Sequence, residues 1–143
     1  PVLIPESYVS DLNVRMELYR RLSRLVKADE IEAFAAELID RFGSLPGEVE
    51  NLLDIVAVKQ LSKRAGVDKV DAGPKGALIS FRNNEFANPG GLVAFINDQV
   101  GTAKLRPDHT LVFMRAWESP KDRLAGVRLL MRDIAKVAEA EMS

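Results

Sequence analysis

Leu38-Ile39-Asp40-Arg41-Phe42-Gly43-Ser44-Leu45-Pro46 reads as a helix stop followed at once by a helix start, and no other stretch restricts the fold as much. Gly43 stands where the ending helix needs a residue that accepts positive φ, and Pro46 where the next helix accepts a pre-set φ. The apolar residues on either side bury, which leaves Glu37, Asp40 and Arg41 as the charged, outward-looking part of a helical hairpin. A hairpin displaying a compact charged surface suits docking better than it suits a reaction centre.

The chain on either side extends this pattern. Pro1-Val2-Leu3-Ile4-Pro5 is an extended apolar arm, part of an arm over residues 1–10, because both prolines disfavour helix there. From about Asp11 to Val26, Leu12, Met16, Tyr19, Leu22 and Val26 recur at three- and four-residue steps, with Leu18 and Leu25 widening the stripe. Lys27-Ala28-Asp29 forms the break, with Asp29 as N-cap. A second helix, about Glu30 to Phe42, presents Ile31, Phe34, Ala35, Leu38, Ile39 and Phe42 on one face. At about 100° per residue, Ala33, Ala36, Glu37 and Asp40 fall on the opposite side, with Arg41 at its edge. A third helix, about Pro46 to Ala65, buries Val49, Leu52, Leu53, Val56 and Leu61 and ends at Gly66. Short connections make these three helices antiparallel neighbours.

After Gly66 the period becomes strand-like. Val67 to Ala72 and Ala77 to Phe81 read as strands around a Gly73-Pro74-Lys75-Gly76 turn, with Ile79 and Phe81 on one face. Asn88 caps a short helix that opens with Pro89 and turns Leu92, Val93 and Ile96 inward. Thr102 to Arg106 and Thr110 to Arg115 form a hairpin around Pro107-Asp108-His109. Ser119-Pro120-Lys121-Asp122 starts the last helix, which Leu124, Val127, Met131, Ile134 and Ala138 carry to the end. The expected fold class is α+β: three helices, then a β-β-α-β-β-α unit with a small, mainly antiparallel sheet and a long C-terminal helix. At 143 residues the expectation is a single domain, 1–143, and no repeat or low-complexity segment interrupts it.

Composition narrows the chemistry. With no cysteine, disulfides, thiol catalysis and thiolate zinc sites are excluded, and the single His109 excludes a multi-histidine metal site. No apolar run approaches the roughly 20 residues of a membrane helix and no signal peptide is visible, so a cytoplasmic, membrane-free and monomeric piece is expected. The chain starts at Pro1 rather than methionine, which points to a piece of a longer protein. Phosphate-binding motifs of the Walker and G-x-G-x-x-G types and H-E-x-x-H are missing, so no catalytic, cofactor or metal residues are assigned. Gly90-Gly91 is explained by a tight helix entry, Asp108-His109 by a solvated turn, and Asn83, Asn84 and Glu85 by a polar loop. A net charge of −1 makes the chain a poor default nucleic-acid binder, although Lys59, Lys63 and Arg64 cluster and Arg123, Arg128 and Arg132 lie along the last helix. Those last three arginines define the alternative reading, a nucleic-acid-binding appendage. Glu37 and Asp40 lie one turn apart on the exposed face, which argues against the raised pKa that acid–base catalysis needs. Glu37 and Arg41 are also spaced for an i,i+4 salt bridge. Ala33 and Ala36 lie beside these charges, so a partner can approach closely and meet a mixed-sign patch, which sets specificity more than affinity.

At these residues the sequence resembles the C-terminal domain of bacterial transcription-repair coupling factor. The resemblance begins at Pro5-Glu6-Ser7-Tyr8-Val9-Ser10-Asp11 and runs through Arg15-Met16-Glu17-Leu18-Tyr19-Arg20-Arg21-Leu22. It is sharpest at Glu37-Leu38-Ile39-Asp40-Arg41-Phe42-Gly43 with Leu45-Pro46, and looser through Gly66-Val67, Ala77 to Phe81 and the last helix. The resemblance implies a parent that is an ATP-dependent double-stranded DNA translocase, which removes stalled RNA polymerase and recruits UvrA, the damage-recognition protein of nucleotide excision repair. ATP and magnesium are implied for that parent only. In the family this domain performs no chemistry; it clamps onto an N-terminal module resembling part of UvrB and covers the surface that UvrA uses. The matching clamp positions here are Glu37, Asp40 and Arg41, all three alike in type and spacing, with Ala33 and Ala36 beside them.

Overall fold

In the computed structural model, which describes residues 3–140, the Asp11 carboxylate accepts the backbone N–H groups of Asn13 at 2.8 Å and Val14 at 3.2 Å and so opens helix α1, Leu12–Leu22. The helix stops four residues short of the expected Val26. Ser23 ends it by turning inward on the backbone: its hydroxyl donates to the Arg20 carbonyl at 2.6 Å and its N–H to Tyr19 at 3.1 Å. The expected apolar stripe is correspondingly narrower. Leu18 and Leu22 are buried, whereas Leu12, Met16 and Val26 are exposed.

Helix α2, Ala28–Phe42, begins before the expected Glu30, and Asp29 lies inside its first turn instead of capping it. The capping carboxylate is that of Glu30, which accepts the N–H groups of Lys27 at 2.8 Å and Val26 at 3.0 Å. Those donors hold Glu30 below the usual carboxylate range. At the far end Gly43 has φ +94°, as the stop requires, and the Pro46 carbonyl accepts the N–H groups of Val49 and Glu50 as helix α3, Gly47–Ala65, begins. The stop is held from outside its own sequence. The Tyr8 hydroxyl lies 2.7 Å from the Gly43 carbonyl and 3.1 Å from that of Leu38, with its ring 5.7 Å from Phe42.

The chain divides into two units, Pro1–Gln60 and Leu61–Ser143. In the first, Ile4, Val9, Leu18, Leu22, Phe34, Leu38, Val49 and Leu53 form a common core, with Tyr19, Ile31, Phe42 and Val56 packed against it. Ile39, expected on the buried face of α2, is exposed. Pro1 and Val2 of the expected arm lie outside the described residues. Further along, Tyr8 and Val9 donate to the Pro5 carbonyl in a turn, and Ile4 donates to the Tyr19 hydroxyl at 2.6 Å.

The second unit carries an antiparallel four-stranded sheet in the order β1-β2-β4-β3. Its strands are β1 (Val67–Gly73), β2 (Gly76–Phe81), β3 (Ala103–Leu105) and β4 (Leu111–Met114). β1 carries a bulge between Val67 and Lys69. Helix α4, Pro89–Asp98, sits between β2 and β3 in sequence, and helix α5, Pro120–Ala140, follows β4. The order β-β-α-β-β-α and the α+β class are thus as the sequence indicates. Ala77, Ile79, Phe81, Leu111 and Phe113 alternate onto the buried face, and α5 adds Val127, Leu130, Met131, Ile134, Ala135 and Ala138. Val93 of α4, expected inward, is exposed, while Leu92 is buried. Gly126 is required by packing, since a Cβ there would enter the space of the buried Trp117 indole.

A candidate docking face on the second helix

Three ionised side chains meet at one carboxylate. Arg21 of α1 donates through Nη1 to Glu37 Oε2 at 2.6 Å and through Nη2 to Glu37 Oε1 at 2.7 Å. Arg41, one turn along α2, donates through Nη1 to Glu37 Oε2 at 3.0 Å, which is the i,i+4 pair that spacing anticipates. Each guanidinium also lies over an aromatic ring, Arg21 at 5.0 Å from the centre of Phe34 and Arg41 at 4.8 Å from that of Phe42. Hydrogen bonds from Arg21 first, and then from Arg41, pull the Glu37 carboxyl from 4.5 down to about 2. The same pair raises Arg21. An ionised carboxylate so held is no general base near neutrality.

The expected face is therefore present but graded. Ala33, Ala36 and Asp40 are exposed, as is Arg41, whereas Glu37 is half-buried, with 36% of its side chain reaching solvent. Among the described residues Asp40 forms no ion pair. Arg21 is the member that sequence reasoning missed. It lies 16 residues from Glu37 on a different helix, so no helical period connects the two.

The other candidates are engaged in local structure. Gly91 donates its N–H to Asn88 Oδ1 at 2.9 Å, and Asn88 Nδ2 reaches the Val137 carbonyl at 3.0 Å, so that helix entry is capped from within. Asp108 Oδ1 accepts the Thr110 N–H at 3.0 Å, which holds Asp108 below the usual carboxylate range, while His109 occupies an exposed left-handed position at φ +69°. Asn83 and Asn84 likewise take positive φ in a short turn before Glu85. Arg64 pairs with Glu139 at 2.6 Å and Arg132 with Asp133 at 3.5 Å. Arg123 donates to the Trp117 carbonyl at 3.3 Å and is half-buried, so the arginines of α5 do not present one uniformly free row. Among the described residues there is no cluster of three metal-ligating side chains, and no helix is long and apolar enough to cross a membrane.

Comparison with known proteins agrees with this architecture. The TRCF domain family model matches residues 1–92. The transcription-repair-coupling factor of Escherichia coli is 32% identical over 140 residues, covering 98% of this chain and 12% of that protein. Its counterpart from Rickettsia bellii is 42% identical over 115 residues, covering 80% of this chain and 10% of that protein. The chain thus spans about a tenth of the curated relatives it matches. A crystal structure of the C-terminal domain of transcription-repair coupling factor superposes with a TM-score of 0.75 at 24% identity, covering 97% of this chain and 89% of that one. With the sequence match spanning both units and the fold shared with that domain, this chain belongs to the transcription-repair coupling factor family.

Proposed function

We propose that this domain is a non-enzymatic regulatory element that docks through α2 on the N-terminal UvrB-like module of its own polypeptide and masks the UvrA-binding surface there. The parent in this reading is the ATP-driven DNA translocase that displaces stalled RNA polymerase. The observation that carries the reading is the exposed Ala33–Ala36–Asp40–Arg41 face, flanked by a carboxylate already locked between two guanidiniums. Small side chains admit close approach, and charges of both signs select one register. Tethering raises the effective concentration into the millimolar range, so a weak contact suffices to mask and still releases when the motor changes shape.

The test is an NMR titration of this chain, amide-labelled, with the separately prepared UvrB-like module. Shifts are expected at Ala33, Ala36, Glu37, Asp40 and Arg41. Asp40→Lys, which disturbs no internal pair, weakens the contact about tenfold by placing like charge in a matched interface. In the full-length protein the same substitution raises UvrA affinity. An absence of shifts at millimolar module, or UvrA binding unaltered by Asp40→Lys, overturns the reading.

A further inference from the structure

Exposed ion pairs are ordinarily loose, because two long side chains must surrender rotamer freedom to meet. The cluster on α2 is built differently. Arg21 reaches Glu37 from another helix with a two-bond fork and rests on the buried Phe34, while Arg41 shares that carboxylate and rests on Phe42. Glu37 Oε2 already accepts two N–H groups and Oε1 a third, so most of its capacity is spent inside the domain. What an approaching partner meets is the outer side of Arg41 together with Asp40, both exposed.

We propose that Arg21 is a positioning residue for docking: its fork fixes the Glu37 carboxylate and, through it, the Arg41 guanidinium presented on α2. The inference rests on the docking reading above and adds to it which side chain sets the geometry. Without Arg21, Glu37 and Arg41 revert to an exposed i,i+4 pair, whose rotamers the partner must freeze on binding. With Arg21, that ordering is complete before the partner arrives.

The experiment compares the 143-residue chain with Arg21→Met, Arg41→Met and the double variant, each titrated against the UvrB-like module and each melted alone to confirm folding. Each single change is expected to weaken binding about tenfold, and the double variant no more than Arg41→Met, because Arg21 acts through Arg41. Arg20→Met, which breaks the neighbouring Arg20–Glu17 pair, leaves affinity unaltered. Should the Met variant unfold, Arg21→Lys keeps the charge and the stem without the fork and carries the same expectation. Losses that multiply make Arg21 a direct contact and overturn the inference, as does wild-type affinity in Arg21→Met. A wild-type chain that fails to bind the module removes the docking reading itself.

Discussion

At the scale of single residues the chain is governed by where a carboxylate finds its donors. Glu37 titrates at about 2 because Arg21 and Arg41 both donate to its charged form. A carboxyl depressed in the folded state contributes stability above its unfolded value near 4.5 and loses it as pH falls toward 2. With a third of the side chain in water, screening cuts that contribution to about 1 kcal/mol. The stability gap between wild type and Glu37→Gln is therefore expected to be present at pH 7 and to shrink between pH 4.5 and 2, as measured by urea melts across that range. A gap independent of pH would show that the two arginines do not hold the carboxylate. Spacing revealed the Glu37–Arg41 pair, because both residues ride one helix. Arg21 was illegible, since its partner is chosen by packing between helices, and local period carries no record of that.

At the scale of elements, helix ends are decided by side chains that reach the terminal backbone groups. Gly43 and Asn88 were legible because positive φ and an N-cap are properties of one residue in its local frame. The end of α1 was not, because Leu25 and Val26 continue the apolar period while the Ser23 hydroxyl bonds back to Arg20 and stops the helix. The end of α2 has an outside support: the Tyr8 hydroxyl donates to the carbonyl of Gly43, just past the last helical residue, and lies within reach of that of Leu38. Tyr8→Phe keeps the ring against Phe42 and removes that hydroxyl, so it is expected to cost about 1 kcal/mol in thermal or chemical unfolding. Amide exchange should quicken at the end of α2, near Phe42 and Gly43. An unaltered melt with unaltered exchange would mean that water replaces the phenol without loss.

At the scale of the whole molecule the two units differ in charge, with an acidic excess in residues 1–60 and a basic excess in residues 61–143. Docking through an exposed mixed-charge face in the acidic unit is expected to weaken several-fold as salt rises from about 0.05 to 0.5 M, mainly through slower association. Stopped-flow binding to the UvrB-like module checks this, and a salt-independent rate would point to an apolar contact instead. The bulge in β1 bears on how the molecule behaves in company. An open sheet ends in two unpaired backbone edges, and such edges template strands from other copies. Here one edge is twisted between Val67 and Lys69 and bristles with Asp68, Lys69 and Asp71, while the other, β3, is three residues long. Neither offers a flat run on which a second chain can zip. The two edges thereby keep copies of this domain from joining strand to strand into fibres.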